Sequence, residues 1–397
     1  MDTVKKYLII SAVFPPEPVV SAILSKDIAT ELSKTENIVV ICPKPTRPLG
    51  FKFGYSEKNE FKTIVLDSYT CPQYSIIGRL RESYSFGRKC ALYIKQHHNH
   101  IKLIYANAWP LFSQYWIVKY AHRYNIPCVL HIQDIYPESF TNKFPSFLRK
   151  IANNMLLPID RFNLNKSDKI IAISEKMKDF FCNNRKINSD KIEVVYNWQD
   201  EQEFVNFQNQ TISNRHDDCF TFMYLGNVGP LAGLELLIDA FSYININDCR
   251  LIIAGSGSMI DQLKKRASGK SNIHFWDVPQ GDVPKIQSLS DVMILPVKMG
   301  GSITSIPSKL LAYMFSAKPV LACVDNESDT FQTIQNSGCG WVVEPENIDL
   351  LKNQIETIVR MPGQKLHEMG KMGYQYAISL FSKKKNLSEI IKIIQDL

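Results

Sequence analysis

The 397-residue chain is 45% hydrophobic with a formal net charge of +7. That is enough apolar content for two buried cores and too much for a disordered or low-complexity protein. The charge is uneven: residues 1–200 carry 28 basic and 18 acidic side chains, a balance of +10, which leaves −3 for the rest. Aromatic and basic residues do not interleave as in a nucleic-acid binder, so no nucleic-acid partner is expected; the basic half suits anionic lipid or a phosphorylated acceptor.

Lys5 and Lys6 precede an apolar run over residues 7–14 that stops at Pro15-Pro16-Glu17-Pro18. The run is short for a signal peptide and reads as a first β-strand. Strand-like runs at 38–42, 102–106, 127–132, 169–173 and 192–195 alternate with stretches of helical period, the pattern of a parallel sheet covered by helices. In one such stretch Phe147, Leu148, Ile151, Met155 and Phe162 fall at helical spacing beside Arg149, Lys150, Arg161 and Lys166. An apolar stripe with a basic flank fits a helix lying in a membrane surface, although Pro158 interrupts it. Residues 196–219 are polar, rich in Asn and Gln and without either period, and read as a linker.

After the linker the alternation resumes: strand 220–225, helix 234–246, strand 250–254, helix 258–267, strand 272–276 and helix 284–290. A second doubly wound domain follows from this. The expected division is a first domain over 1–196, a linker over 197–219, a second domain over 220–380 and a C-terminal helix over 381–397. Nine scattered cysteines without metal-ligand spacing point to a reducing, cytoplasmic location. No run approaches the ~20 apolar residues that span a bilayer, so any membrane contact is peripheral.

Residues 291–324, DVMILPVKMGGSITSIPSKLLAYMFSAKPVLACV, set a loop and a helix start between two buried strands. The helix begins at Pro307 and Ser308. Its unpaired N–H groups and partial positive charge suit a diphosphate, and Lys309 adds a mobile cation beside them.

Four segments, FPPEPVVSA (14–22), HIQDIYPES (131–139), YLGNVGPLAGLELLIDAF (224–241) and PSKLLAYMFSAKPVLA (307–322), resemble in order and spacing the retaining glycosyltransferases of family 4. More narrowly, the chain looks like the members that build bacterial O-antigen, capsule and exopolysaccharide. The resemblance implies the α/β GT-B fold, two Rossmann-like doubly wound domains facing across a cleft, with the first on the acceptor side and the second binding the nucleotide sugar. By the same resemblance His131 contacts the donor sugar near its transferring carbon, and Lys309 with Ser308 meets the diphosphate. Gly226, Asn227 and Gly229 lie against donor phosphate, while Asp277 and Val278 neighbour the base. Glu17 is a candidate for a sugar hydroxyl. Asp134 or Glu138 is a candidate to orient the imidazole or to take acceptor hydroxyls. Glu327 is a candidate donor-sugar contact or a cap for the helix near Ser328.

The chain departs from the family at two places. Where family members have glutamates that bind ribose and donor, this sequence has Ala312 and Thr304, and the loop after residue 225 lacks the usual Arg and Lys. Loss of one charge-assisted bond to ribose costs on the order of 1.5–3 kcal/mol, roughly 10- to 150-fold in donor binding. The reaction implied is transfer of a hexose or N-acetylaminosugar from a nucleotide-diphosphate sugar, expected as a UDP-sugar, to a polyprenyl-diphosphate-linked saccharide with retention. It needs no metal and no further cofactor. The alternatives are a GT-B nucleotide-sugar epimerase, which needs no lipid acceptor, and a non-catalytic partner protein.

Overall fold

The computed structural model describes residues 5–47, 60–71, 75–142, 144–208, 219–230, 232–244, 246, 248–279, 282–299 and 306–397. The chain forms two compact units, one of residues 1–197 with 386–397 and one of residues 198–385.

In the first unit seven parallel strands, β1 (Lys6–Ser11), β2 (Ile38–Pro43), β3 (Lys62–Leu66), β4 (Ile101–Asn107), β5 (Cys128–Ile132), β6 (Lys169–Ala172) and β7 (Ile192–Val194), pair in the order β3-β2-β1-β4-β5-β6-β7. The inner strands are near-continuous apolar runs because helices cover both faces. Alternation sends Leu8, Ile10, Ile104, Ala106 and Leu130 into one apolar layer and turns Ile9, Tyr105, Val129 and His131 to the opposite face. The strand order reverses between β1 and β4, and ligands of open α/β sheets bind beyond the carboxyl ends at such a point.

The second unit repeats the plan with β8 (Phe220–Leu225), β9 (Cys249–Ala254), β10 (Ile273–Trp276), β11 (Val292–Pro296), β12 (Val320–Cys323) and β13 (Gly340–Val343). Their order is β10-β9-β8-β11-β12-β13, all parallel, around a core of its own that includes Phe222, Tyr224, Phe241 and Ile294. Its reversal lies between β8 and β11.

Two strands, β3 and β13, fall outside the sequence expectations, and a short helix, Gln202–Gln208, occupies part of the expected linker. Phe204 of that helix is buried and stacks 6.0 Å from Phe315, which explains how a polar stretch becomes ordered. The C-terminal helix spans Lys383–Gln395 and buries Leu387, Ile390 and Ile394. None of the described helices is long and apolar enough to cross a membrane.

Candidate active site

In the second unit the carboxyl ends of β8 and β11 meet a helix start. The helix Ser308–Phe315 begins after Pro307 with no side-chain cap, leaving its first N–H groups without a side-chain acceptor. Ser308 is exposed in the first turn. Lys309 runs back across Gly226, the residue after β8: a Cβ at position 226 would lie 2.2 Å from Lys309 Cε. The Lys309 stem fills the space a Cβ would take, and the φ of +152° favours glycine at this position. The ammonium stands 5.6 Å from the Tyr224 ring centroid, and no carboxylate among the described residues pairs with it. Burial lowers its pKa. A half-buried cation left uncompensated at the end of a sheet is primed for an anion.

The surrounding loop is stiff. Tyr224 Oη donates to Asn227 O at 2.6 Å. Tyr313, buried in the same helix as Lys309, donates from Oη to Leu225 O at 2.9 Å and accepts from Leu225 N at 3.0 Å. Two side-chain bonds thus tie helix to strand one residue before Gly226. The next loop is packed backbone to backbone: Gly226 N donates to Ala254 O, and Val228 N to Ser256 O. A Cβ at Gly255 or Gly257 would sit 2.2 or 2.3 Å from the carbonyl oxygens of Gly226 and Val228. The glycines of IIAGSGS therefore serve loop-to-loop packing. Gly255 N in turn donates to Trp276 O, which brings exposed Asp277 and half-buried Val278 alongside the same row of loops. Asn227 is exposed, and a Cβ at Gly229 would lie 3.1 Å from its amide nitrogen. Glu327 is exposed beyond β12; the residue that caps the helix Asp329–Ser337 is Ser328, whose Oγ accepts from Phe331 N at 3.1 Å. Ala312 is buried and offers no polar group, and Thr304 lies outside the described residues.

In the first unit His131 is 1% exposed. Its Nδ1 is 2.5 Å from Tyr105 Oη and its Nε2 is 3.0 Å from Gln133 Nε2 as placed; Gln133 Oε1 accepts from Asn197 Nδ2 at 2.8 Å. Burial pushes the imidazole pKa down to about 3, so it is neutral and has one donor and one acceptor nitrogen. As placed, the amides leave Asn197 Oδ1 without a partner. Turning both amides lets Tyr105 donate to Nδ1 and Nε2–H donate to the Gln133 carbonyl, while Asn197 Oδ1 receives the Gln133 NH2 group. His131 is thus occupied on both nitrogens, and half-buried Gln133 is the polar side chain the relay carries outward.

The flanking carboxylates do other work than expected. Asp134 Oδ1 accepts from Ile135 N and Ser139 Oγ, closing the turn into the helix Glu138–Thr141. Glu138 pairs with Arg185 at 2.5 Å, and Arg185 also binds Asp160 at 2.6 Å and the carbonyl of Tyr136. Burial raises the Asp160 carboxyl to about 6 against the opposing pull of Arg185. This clamp holds the HIQDIYPES loop, and neither Asp134 nor Glu138 orients the imidazole. Glu17, expected to meet a sugar hydroxyl, is 2% exposed and uses Oε1 to accept from the backbone N–H groups of Thr46 and Arg47 at 2.7 and 2.8 Å.

The family model for Glycosyltransferase Family 4 matches residues 24–203, and that for Glycosyl transferases group 1 matches residues 206–376. The chain is 24% identical over 250 residues to the probable glycosyltransferase WbjE of Pseudomonas aeruginosa, covering 59% of this chain and 60% of that one. It is 21% identical over 279 residues to WcaI of Escherichia coli, a glycosyltransferase named for colanic acid biosynthesis, over 67% of each. Its fold matches the crystal structure of Anabaena HepE in complex with UDP, with a TM-score of 0.70 at 16% identity over 99% of this chain and all of that one. One model for each half and a shared two-domain architecture agree: the chain belongs to the glycosyltransferases of GT-B fold, with a family 4 first half and a group 1 second half.

Proposed function

We propose that the protein transfers a sugar, with retention, from a UDP-sugar to a saccharide carried on a polyprenyl diphosphate at the cytoplasmic face of a membrane. The observation that carries this is Lys309, an uncompensated, half-buried cation lying across Gly226 at the reversal point of the second sheet. There the donor diphosphate is met by Lys309 and by the N–H groups of Ser308 and Lys309, with Asn227 and Gly229 beside it. The bond from the anomeric carbon to the diphosphate breaks as a bond to the acceptor oxygen forms on the same face, and the acceptor proton passes to the departing phosphate. Stabilising that departing charge is the main catalytic contribution, and it calls on no metal. The UDP bound by HepE supports the choice of base. Gln133, positioned by His131, supplies a hydrogen bond to a sugar hydroxyl.

Contact with anionic membrane is supported by the helix Ser146–Lys166. Phe147, Ile151 and Met155 are 66%, 51% and 71% exposed, beside Arg149 and Lys150. Exposed apolar side chains in one row with flanking cations bind a lipid interface.

The test is transfer of label from a panel of nucleotide sugars to polyprenyl-linked acceptors, with the anomeric configuration of the product read by NMR. Transfer from a UDP-sugar with retention, abolished by Lys309→Ala, is expected. Epimerisation of the donor's sugar, without lipid acceptor, would establish the epimerase. No turnover by folded protein with any donor would establish a non-catalytic role.

A further inference from the structure

Beyond the carboxyl ends of the first sheet, loops from four strands meet around one tryptophan. Arg47 follows β2, Trp109 follows β4, and Arg79 and Glu82 lie on the helix Ile76–His97 after β3. Glu17, after β1, fixes the backbone of Arg47. The Arg47 guanidinium stacks 4.3 Å from the Trp109 ring centroid and that of Arg79 stands at 6.0 Å. Both pair with the buried Glu82, at 2.6 and 3.3 Å, and Arg47 also donates to Cys71 O. Glu82 is shared by two guanidinium groups, while the Glu17 carboxylate is taken up by the backbone of Thr46 and Arg47.

The cluster's hydrogen bonding is incomplete. Arg47 Nε and Trp109 Nε1 are both buried N–H donors without a partner among the described residues. Buried donors are almost always paired, and leaving one unpaired is costly. Two unmet donors within a single stacked cation–indole pair leave hydrogen-bonding capacity that oxygen acceptors would satisfy. Arginine's planar fork and the indole N–H both match phosphoryl oxygens.

We propose that Arg47, Arg79 and Trp109 form a binding site for a phosphoryl group, and that this group belongs to the acceptor. The second part rests on the reading of the first unit as the acceptor side. Ile76 and Ile77, 41% and 79% exposed, open the helix that carries Arg79 and give a chain attached to the phosphate an apolar surface. Arg79 is 32% exposed and meets the ligand first; Arg47 and Trp109 receive its inner oxygens. Glu82, whose carboxyl is raised by burial, holds the two arginines in place and is a positioning residue.

The test is calorimetric binding of inorganic pyrophosphate and of farnesyl diphosphate to the full-length protein. It compares the wild type with Arg79→Met and Trp109→Phe, each checked for wild-type circular dichroism and melting. Both ligands are expected to bind, farnesyl diphosphate more tightly, and each variant to weaken both at least tenfold without altering UDP affinity. Equal binding of the two ligands would assign the site to free phosphate and overturn the lipid-acceptor part. Absence of binding, unchanged affinity in the variants, or displacement of pyrophosphate by UDP would overturn the site itself. Since no transfer is measured, these results stand apart from the fate of the proposed reaction.

Discussion

Replacing Gly226 by alanine tests whether Lys309 is the group that meets the donor diphosphate. The added Cβ would stand 2.2 Å from Lys309 Cε, 2.9 Å from Cδ and 3.4 Å from Nζ. Carbon atoms in contact sit about 3.5–4.0 Å apart, so Cε must retreat by about 1.5 Å. A flexible side chain allows this, but it carries the ammonium away from a bond whose useful length is only about 2.7–2.9 Å. The loss is that of one charge-assisted hydrogen bond, about 1.5–3 kcal/mol, or 10- to 150-fold in UDP affinity. Alanine at φ +152° adds strain of about 1–3 kcal/mol to folding, which melting of the variant reports separately. UDP affinity is measured calorimetrically in a double-mutant cycle with Lys309→Ala. In the Lys309→Ala background no side chain is left to displace, so Gly226→Ala is expected to change affinity little. An equal loss in both backgrounds would refute the reasoning and show that position 226 acts through backbone approach to phosphate. Wild-type affinity should also fall on the alkaline side earlier than for an ordinary lysine, because burial lowers the Lys309 pKa.

Tyr313→Phe leaves the N–H and C=O of Leu225 without their side-chain partner; about 2–4 kcal/mol should be lost, read as faster hydrogen exchange over residues 220–228, and unchanged exchange would remove the staple from the account. Arg185→Met strands Glu138 and Asp160 and should lower the stability of the first unit by about 3–5 kcal/mol, visible in its denaturant midpoint. His131 takes up a proton near pH 6.5 when unfolded and only at about 3 when folded, so its contribution is present above pH 6.5 and is lost by about 1.4 kcal/mol per pH unit as the pH falls toward 3. Wild type should therefore lose about 2 kcal/mol more than His131→Gln between pH 7 and pH 5; parallel stability curves would count against a neutral buried imidazole. The double variant Phe147→Ser with Met155→Ser should sediment less with vesicles containing anionic lipid while keeping wild-type UDP affinity, and equal sedimentation would exclude that helix from the membrane contact.

The strands that sequence reading locates are those whose side chains are apolar on both faces, such as IVVICP in β2 and VMILP in β11. β3 and β13 went unread, and both show little burial: KTIVL leaves Lys62, Thr63 and Val65 exposed, and GWVV is buried only at Val343. The helix start at Pro307 and Ser308 was legible because a proline at that position is local chemistry. Lys309 stands beside it in sequence, but its passage over Gly226 joins residues 83 positions apart and leaves no periodic signal. The same is true of Tyr105 with His131, Arg185 with Glu138, and Arg47 with Glu82 and Trp109, which depend on strand order rather than spacing. Asp134, Glu138 and Glu17 looked available because their carboxylates are visible in sequence, whereas the backbone N–H groups and the arginine that claim them are not.

The chain leaves the first unit at Asn197 and returns to it at Asn386. Ile390 and Ile394, fully buried in the returning helix, are part of the structure that begins at Lys6. During synthesis, N-terminal domains usually fold while the remainder is still being made. Here the unit that emerges first lacks one of its helices until residues 386–397 have been made, by which time the second unit has its whole sequence available. Completion order is therefore inverted relative to chain order, and a nascent chain halted at residue 385 would hold a finished second unit beside an unfinished first one.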